Sequence, residues 1–134
     1  MKISQGSFNG LKQLKMLSLK DNLITELQLG TFNSMVMLEN LLLSENKIKS
    51  LNGKMFQFNV ALMTLTLDDN ELREIGEDIL DYSVALEDVH FNGNNCILED
   101  FKGSEIDELK FIIKHCCKNP KEALNVYNCG YKEW

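Results

Sequence analysis

Asparagines stand at positions 22, 46, 70 and 94 of this chain, each 24 residues after the one before. Leu14, Leu38, Leu62 and Leu86 keep the same step, as do Leu17, Leu41, Leu65 and Val89. Two further columns run through Leu19, Leu43, Leu67 and Phe91 and through Ile24, Ile48, Leu72 and Cys96. A fixed period of this kind marks a chain built from stacked copies of one small unit, none of which can bury its apolar side alone. An amphipathic helical bundle would space its apolar residues by about 3.6 instead.

Within a unit the apolar residues alternate with polar ones. In Leu17-Ser18-Leu19 both leucines point inward from a short strand and Ser18 points outward. Each unit therefore adds one strand to a parallel sheet. Where the chain leaves the strand its backbone groups would be buried unpaired, and an amide side chain offers both a donor and an acceptor to them. Asn22, Asn46, Asn70 and Asn94 are accordingly expected to form a structural ladder rather than a binding site. Phe8, Phe32 and Phe56, with Leu80 in the fourth unit, are expected on the convex side as packing residues.

Aligned on these columns, each unit reads L-x-x-L-x-L-x-x-N-x-I/L, which resembles the leucine-rich-repeat pattern. The resemblance implies an α/β repeat fold: a leucine-rich-repeat solenoid with short parallel strands on its concave face and a helical, cysteine-stapled C-terminal cap. Residues 1–95 are assigned to the repeats and 96–134 to the cap. Ile3 through Leu11 match only the tail of a unit, so the repeats are expected to be incomplete at the N-terminus. A solenoid end needs a polar cap, and the expectation is a C-terminal fragment or truncated product of a longer protein.

The cap differs in chemistry. Ser104-Glu105-Ile106-Asp107 reads as a capping-box variant opening a helix over about 105–116, with Ile106, Leu109, Ile112, Ile113 and Cys116 along one side. Asn119-Pro120 then ends it. All four cysteines, Cys96, Cys116, Cys117 and Cys129, fall in the last third of the chain, where disulfide staples suit a solenoid end. Adjacent cysteines pair poorly. Cys96 with Cys116 and Cys117 with Cys129 is the favoured arrangement, and Cys96 with Cys117 and Cys116 with Cys129 stays open. His115, Cys116, Cys117, Cys96 and Cys129 could also surround one zinc ion, yet no C-x-x-C pair is present, and no metal or cofactor is expected.

Gly93-Asn94-Asn95-Cys96-Ile97, the following helix and the Cys116-Cys117 pair are similar to the caps of arthropod extracellular leucine-rich-repeat proteins. Mosquito leucine-rich immune proteins carry such a double cysteine behind their repeats. The long coiled-coil tails of that family are absent here. The resemblance implies a secreted or cell-surface parent protein with a recognition, adhesion or innate immune role. It also allows an unpaired Cys117 to link two chains, or a solenoid-edge dimer. No Asn-x-Ser/Thr acceptor occurs, no apolar run reaches the length of a membrane span, and Met1 to Gly6 lack a signal-peptide core.

The outward strand residues compose the expected binding face. Unit by unit these are Met16, Ser18 and Lys20; Asn40, Leu42 and Ser44; Thr64, Thr66 and Asp68; and Asp88, His90 and Asn92. Asp68, Asp69, Glu87 and Asp88 make it acidic toward one end, which suits a protein partner with a basic surface. A net charge of −6 argues against nucleic acid, whose phosphates need a basic footprint. Only two histidines occur, and His90 beside Asp88 is the nearest approach to a catalytic pair. Neither histidine sits in a nucleophile motif, so no enzyme activity is expected, and an intracellular scaffold is the alternative to extracellular recognition.

Overall fold

A computed structural model describes residues 1–97 and 99–117. The elements are β1 (Lys2–Ile3), β2 (Met16–Ser18), β3 (Glu26–Leu27), β4 (Asn40–Leu42), β5 (Ser50–Leu51), β6 (Thr64–Thr66), β7 (Glu74–Ile75), β8 (Asp88–His90), β9 (Asp100–Lys102) and α1 (Ile106–Cys116). Strands β2, β4, β6 and β8 run parallel side by side, with Leu17, Leu41, Leu65 and Val89 in register. The 24-residue period of the sequence is thus the pitch of the solenoid. Two shorter ladders, β1 with β3 and β5 with β7, form where the chain has turned away from the sheet. This is the leucine-rich-repeat fold, one coil per unit.

Alternation places the columns as physics requires. Leu41, Leu43, Leu65, Leu67, Val89 and Phe91 are fully buried. In the first coil Leu14, Leu17 and Leu19 are only half-buried, because they are covered on one side alone. On the convex side Phe8 stacks on Phe32 with ring centroids 6.2 Å apart, and Phe32 meets Phe56 at 5.9 Å. Each ring fills the space between successive turns, a large apolar payload for one residue per coil.

The asparagine ladder shows how the turns close. Asn46 donates from Nδ2 to the Leu19 and Leu43 carbonyls and accepts the Ile24 N–H on Oδ1, so one amide joins two coils. Asn70 repeats the pattern with Leu43, Leu67 and Ile48, and Asn94 with Leu67, Phe91 and Leu72. Asn22 is exposed and reaches only Leu19 and Lys20 of its own coil. Just before each amide the backbone turns through positive φ, at Asp21 (55°), Glu45 (57°), Asp69 (54°) and Gly93 (78°). Asp tolerates this left-handed region through its short polar side chain, and glycine without strain.

Across the coils, Lys2 pairs with Glu26 at 3.2 Å, Lys15 with Glu39 at 3.7 Å and Lys47 with Glu71 at 3.8 Å, each one full period apart. All are exposed, so each contributes little to stability. A tighter contact lies elsewhere. A Cβ on Gly76 would fall on the backbone N and Cα of Gly53. Backbone cannot swing aside as a side chain can, so Gly76→Ala is expected to lower stability by about 2 kcal/mol. A urea midpoint unchanged by that substitution would show that the two coils separate freely.

The cap departs from the sequence-based expectation in three ways. A fifth strand, β9, joins the sheet antiparallel to β8, with Phe101 opposite Val89 and buried. The Ser104-to-Asp107 box is not what opens the helix; instead Gly103–Glu105 forms a 3₁₀ turn and the Glu105 carboxylate accepts the Lys102 N–H at 3.0 Å. The disulfide joins Cys96 to Cys117, not to Cys116. Cys116 lies on the inward side of α1 with Ile106, Leu109 and Ile113, whereas the chain leaves helical geometry at Cys117, whose carbonyl takes the Ile75 N–H at 2.9 Å. That bond ties the end of the helix to β7. Ile112 is half-buried beside the core.

Candidate binding face

On the concave side the registers assemble the outward residues into rows. Met16, Asn40, Thr64 and Asp88 form one, and Ser18, Leu42, Thr66 and His90 the next. A third row, Lys20, Ser44, Asp68 and Asn92, follows from the backbone bonds Asp21 N–H to Ser44 C=O, Glu45 N–H to Asp68 C=O and Asp69 N–H to Asn92 C=O. Sequence columns one period apart therefore become lateral neighbours. Met16 stands out at 58% exposure at the open edge, and Leu42 is half-buried in the middle of its row.

The rows are organised by hydroxyls and carboxylates. Ser44, itself buried, hydrogen-bonds through Oγ to Asp68 Oδ1 at 2.6 Å and to Thr66 Oγ1 at 2.7 Å. These contacts fix the Asp68 carboxylate in place. Lys20, the one cation in the rows, is held by Glu45 at 3.1 Å. Its hydrogen bond to Glu45 and the Glu45 charge raise its pKa above the ordinary lysine value, with smaller contributions from Asp68 and Asp21. The cation is thus neutralised locally, and the face is left negative.

His90 sits between two carboxylates. Its Nε2 lies 3.1 Å from Asp88 Oδ1 and its Nδ1 3.8 Å from Asp100 Oδ2. Both of these partners are carboxylates. Asp100 was not among the expected site residues. It arrives with β9, and its Oδ1 accepts the N–H groups of Phe91 and Asn92 at 3.0 Å each. Lys102, opposite Asp88 in the same pairing, is the second residue of the face that the repeat period could not reveal. Between residues 57 and 101 there are eleven carboxylates against one arginine, Arg73, and no lysine.

The cysteines are structural. Cys96 and Cys117 are joined and Cys116 is disulfide-bonded as well, which removes the thiolates a zinc site would need and the free Cys117 that an interchain link would need. Cys129 lies outside the described residues. Among the described residues no group of three or more His, Cys, Asp or Glu side chains is placed to hold a metal, and no helix is long and apolar enough to cross a membrane.

Comparison with known proteins agrees with this geometry. A family profile described as leucine rich repeat matches residues 1–48. No curated protein sequence matches the chain. Among solved structures it is similar to the Toll–Spatzle complex, a molecular hub in Drosophila development and innate immunity, with a TM-score of 0.68 and 24% identity over 70% of this chain and 12% of that one. It is equally similar to the TLR13–ssRNA13 complex, with a TM-score of 0.68 and 28% identity over 88% of this chain and 16% of that one. The chain therefore spans less than a fifth of either structure. The second neighbour is a complex with single-stranded RNA, so a solenoid of this shape does not by itself exclude nucleic acid, and the expectation drawn from net charge is corrected to that extent.

Proposed function

Taking the chain as a leucine-rich-repeat solenoid closed by a cysteine cap, we propose that it is a recognition module that binds a protein ligand on its concave face. The repeats over 1–95 carry the binding rows and 96–134 serves as the cap. The observation that carries the reading is the Asp68 carboxylate fixed by Ser44, in the row next to that of half-buried Leu42, with Asp88 and Asp100 flanking His90. An apolar centre with an acidic surround suits a partner presenting an aliphatic or aromatic residue among basic ones. The disulfides favour an oxidising compartment, hence a secreted or cell-surface parent protein. An innate immune role of the arthropod type draws its support from the double cysteine of the cap and from the likeness to the Toll–Spatzle complex.

The test uses a fluorescent oligo-arginine peptide and follows its anisotropy at low salt. Leu42→Ala combined with Asp68→Asn is expected to weaken binding about tenfold, since losing one apolar anchor and one charge partner is together worth about 1.4 kcal/mol. Glu74→Gln, off the face on β7, serves as the control and is expected to change little. Equal losses at both places would mean diffuse attraction to an acidic chain and would remove the concave site. A single-stranded RNA oligonucleotide run in parallel decides the partner class, and tighter binding to it than to the peptide would replace the protein-ligand reading.

A further inference from the structure

The turns that lead into the strands carry an apolar ridge that no part of the concave site uses. Val36, Val60 and Val84 are one period apart, with Met37, Phe58 and Met63 beside them, and these six are 39% to 86% exposed. Their turns are built alike. Met35 N–H bonds to Phe32 C=O, Asn59 to Phe56 and Ser83 to Leu80, and each turn closes with Leu38, Leu62 or Leu86 bonding back three residues. Equivalent residues therefore stack along the solenoid. Asn59 stiffens the base of the ridge, donating from Nδ2 to the Phe32 and Met35 carbonyls of the preceding coil at 2.9 and 3.0 Å.

β-Branched residues recurring at an exposed turn have no packing reason to be there, and a contiguous apolar patch on a polar surface marks an interaction site. The charges at its two ends say what covers it. Lys12 occupies the valine column in the first coil and Lys15 lies beside it, while Asp81 and Glu87 flank Val84 at the far end, all four exposed. We propose that the ridge is the contact between two copies of this chain, packed antiparallel about a two-fold axis.

In that arrangement the basic end of each ridge meets the acidic end of the other, and the valines interleave at the centre. A parallel arrangement would set lysines against lysines. The two-fold uses the same patch twice and closes on itself, so it gives a dimer rather than a chain of molecules. An interface of standard size buries about 800 Å² per partner, with an apolar centre and a polar rim. The ridge supplies the centre and its charged ends supply the rim. The concave rows stay open in this dimer, so the inference stands apart from the ligand-binding proposal.

Sedimentation equilibrium of the full chain, from about 1 μM to about 1 mM, is the test, since interfaces of this size span that range of affinity. The mass is expected to rise from 15.4 kDa toward twice that value with concentration. Val60→Asp is expected to raise the dissociation constant at least about tenfold by burying an unpaired charge. Its circular dichroism melt should match that of the parent chain, because Val60 is half out of the fold. Lys15→Glu should weaken the dimer, and adding Glu87→Lys should restore it, a rescue that a purely structural role for either residue would not produce. A monomer throughout, a dimer insensitive to Val60→Asp, or absence of the rescue overturns the proposal. So does a chain that stays monomeric and cosediments with phosphatidylcholine vesicles, which would assign the ridge to lipid.

Discussion

Asn70→Ala is expected to lower the stability of the chain by on the order of 4 kcal/mol, a large fraction of the 5–15 kcal/mol typical of a domain. The substitution leaves the buried Ile48 N–H without its partner and takes one of two amide donors from each of the Leu43 and Leu67 carbonyls, which keep Asn46 and Asn94 respectively. The orphaned N–H costs about 1–3 kcal/mol and each of the two lost amide hydrogen bonds about 1 kcal/mol more. Asn22→Ala is the matched comparison. That amide is exposed and bonds only within its own coil, so water replaces it and the expected loss is under about 1 kcal/mol. Urea unfolding of the two variants measures the difference. Equal losses would mean that asparagine at this column acts through turn propensity, not by bridging coils.

Breaking the Cys96–Cys117 bond is the second large effect. It closes a loop of 21 residues, for which the chain-entropy account gives about 3 kcal/mol. Cys117→Ser removes the bond but keeps the carbonyl that accepts from Ile75, so cap docking is weakened without losing that backbone contact. In a thermal melt with reductant the parent chain should fall to the level of the reduced variant, while the variant itself should fall only by what the Cys116 disulfide contributes. Intact mass after alkylation gives the covalent check, and peptide mapping that joined Cys96 to Cys116 would overturn the cap geometry described above.

Much of this architecture is legible in the sequence because it is periodic. Asn46 and Asn70 declare their role through spacing, and the rows of the concave face follow from the same arithmetic, since outward residues must alternate with buried leucines. What the period could not reveal happens once. Asp100-Phe101-Lys102 is three residues with no repeat to align it, and only the pairing of Phe101 with Val89 makes it a strand. Asp100 and its place beside His90 were invisible for that reason. The cysteine pairing turned on a single helical step. Cys116 keeps the phase of Leu109 and Ile113 and is buried with them, and the next residue, where the helix unwinds, is the one that joins the core cluster and reaches Cys96. The contact of Gly76 with Gly53 escaped as well, because the two lie 23 residues apart and out of step with every column.

A parallel sheet built one strand per coil is a growing surface, since its last strand offers to any newcomer the same pattern of donors and acceptors that it took from the strand before. β9 answers that pattern with a strand of opposite direction. A coil from another molecule, arriving in the orientation that repeats stack in, finds the place beside β8 already filled by a three-residue strand that holds charged Asp100 and Lys102 out to solvent, the short and charged kind of edge that resists further pairing. Head-to-tail stacking needs both a head and a tail, and here the tail is withdrawn. Filaments that would pass through this edge are thereby disfavoured by a strand that is short and charged.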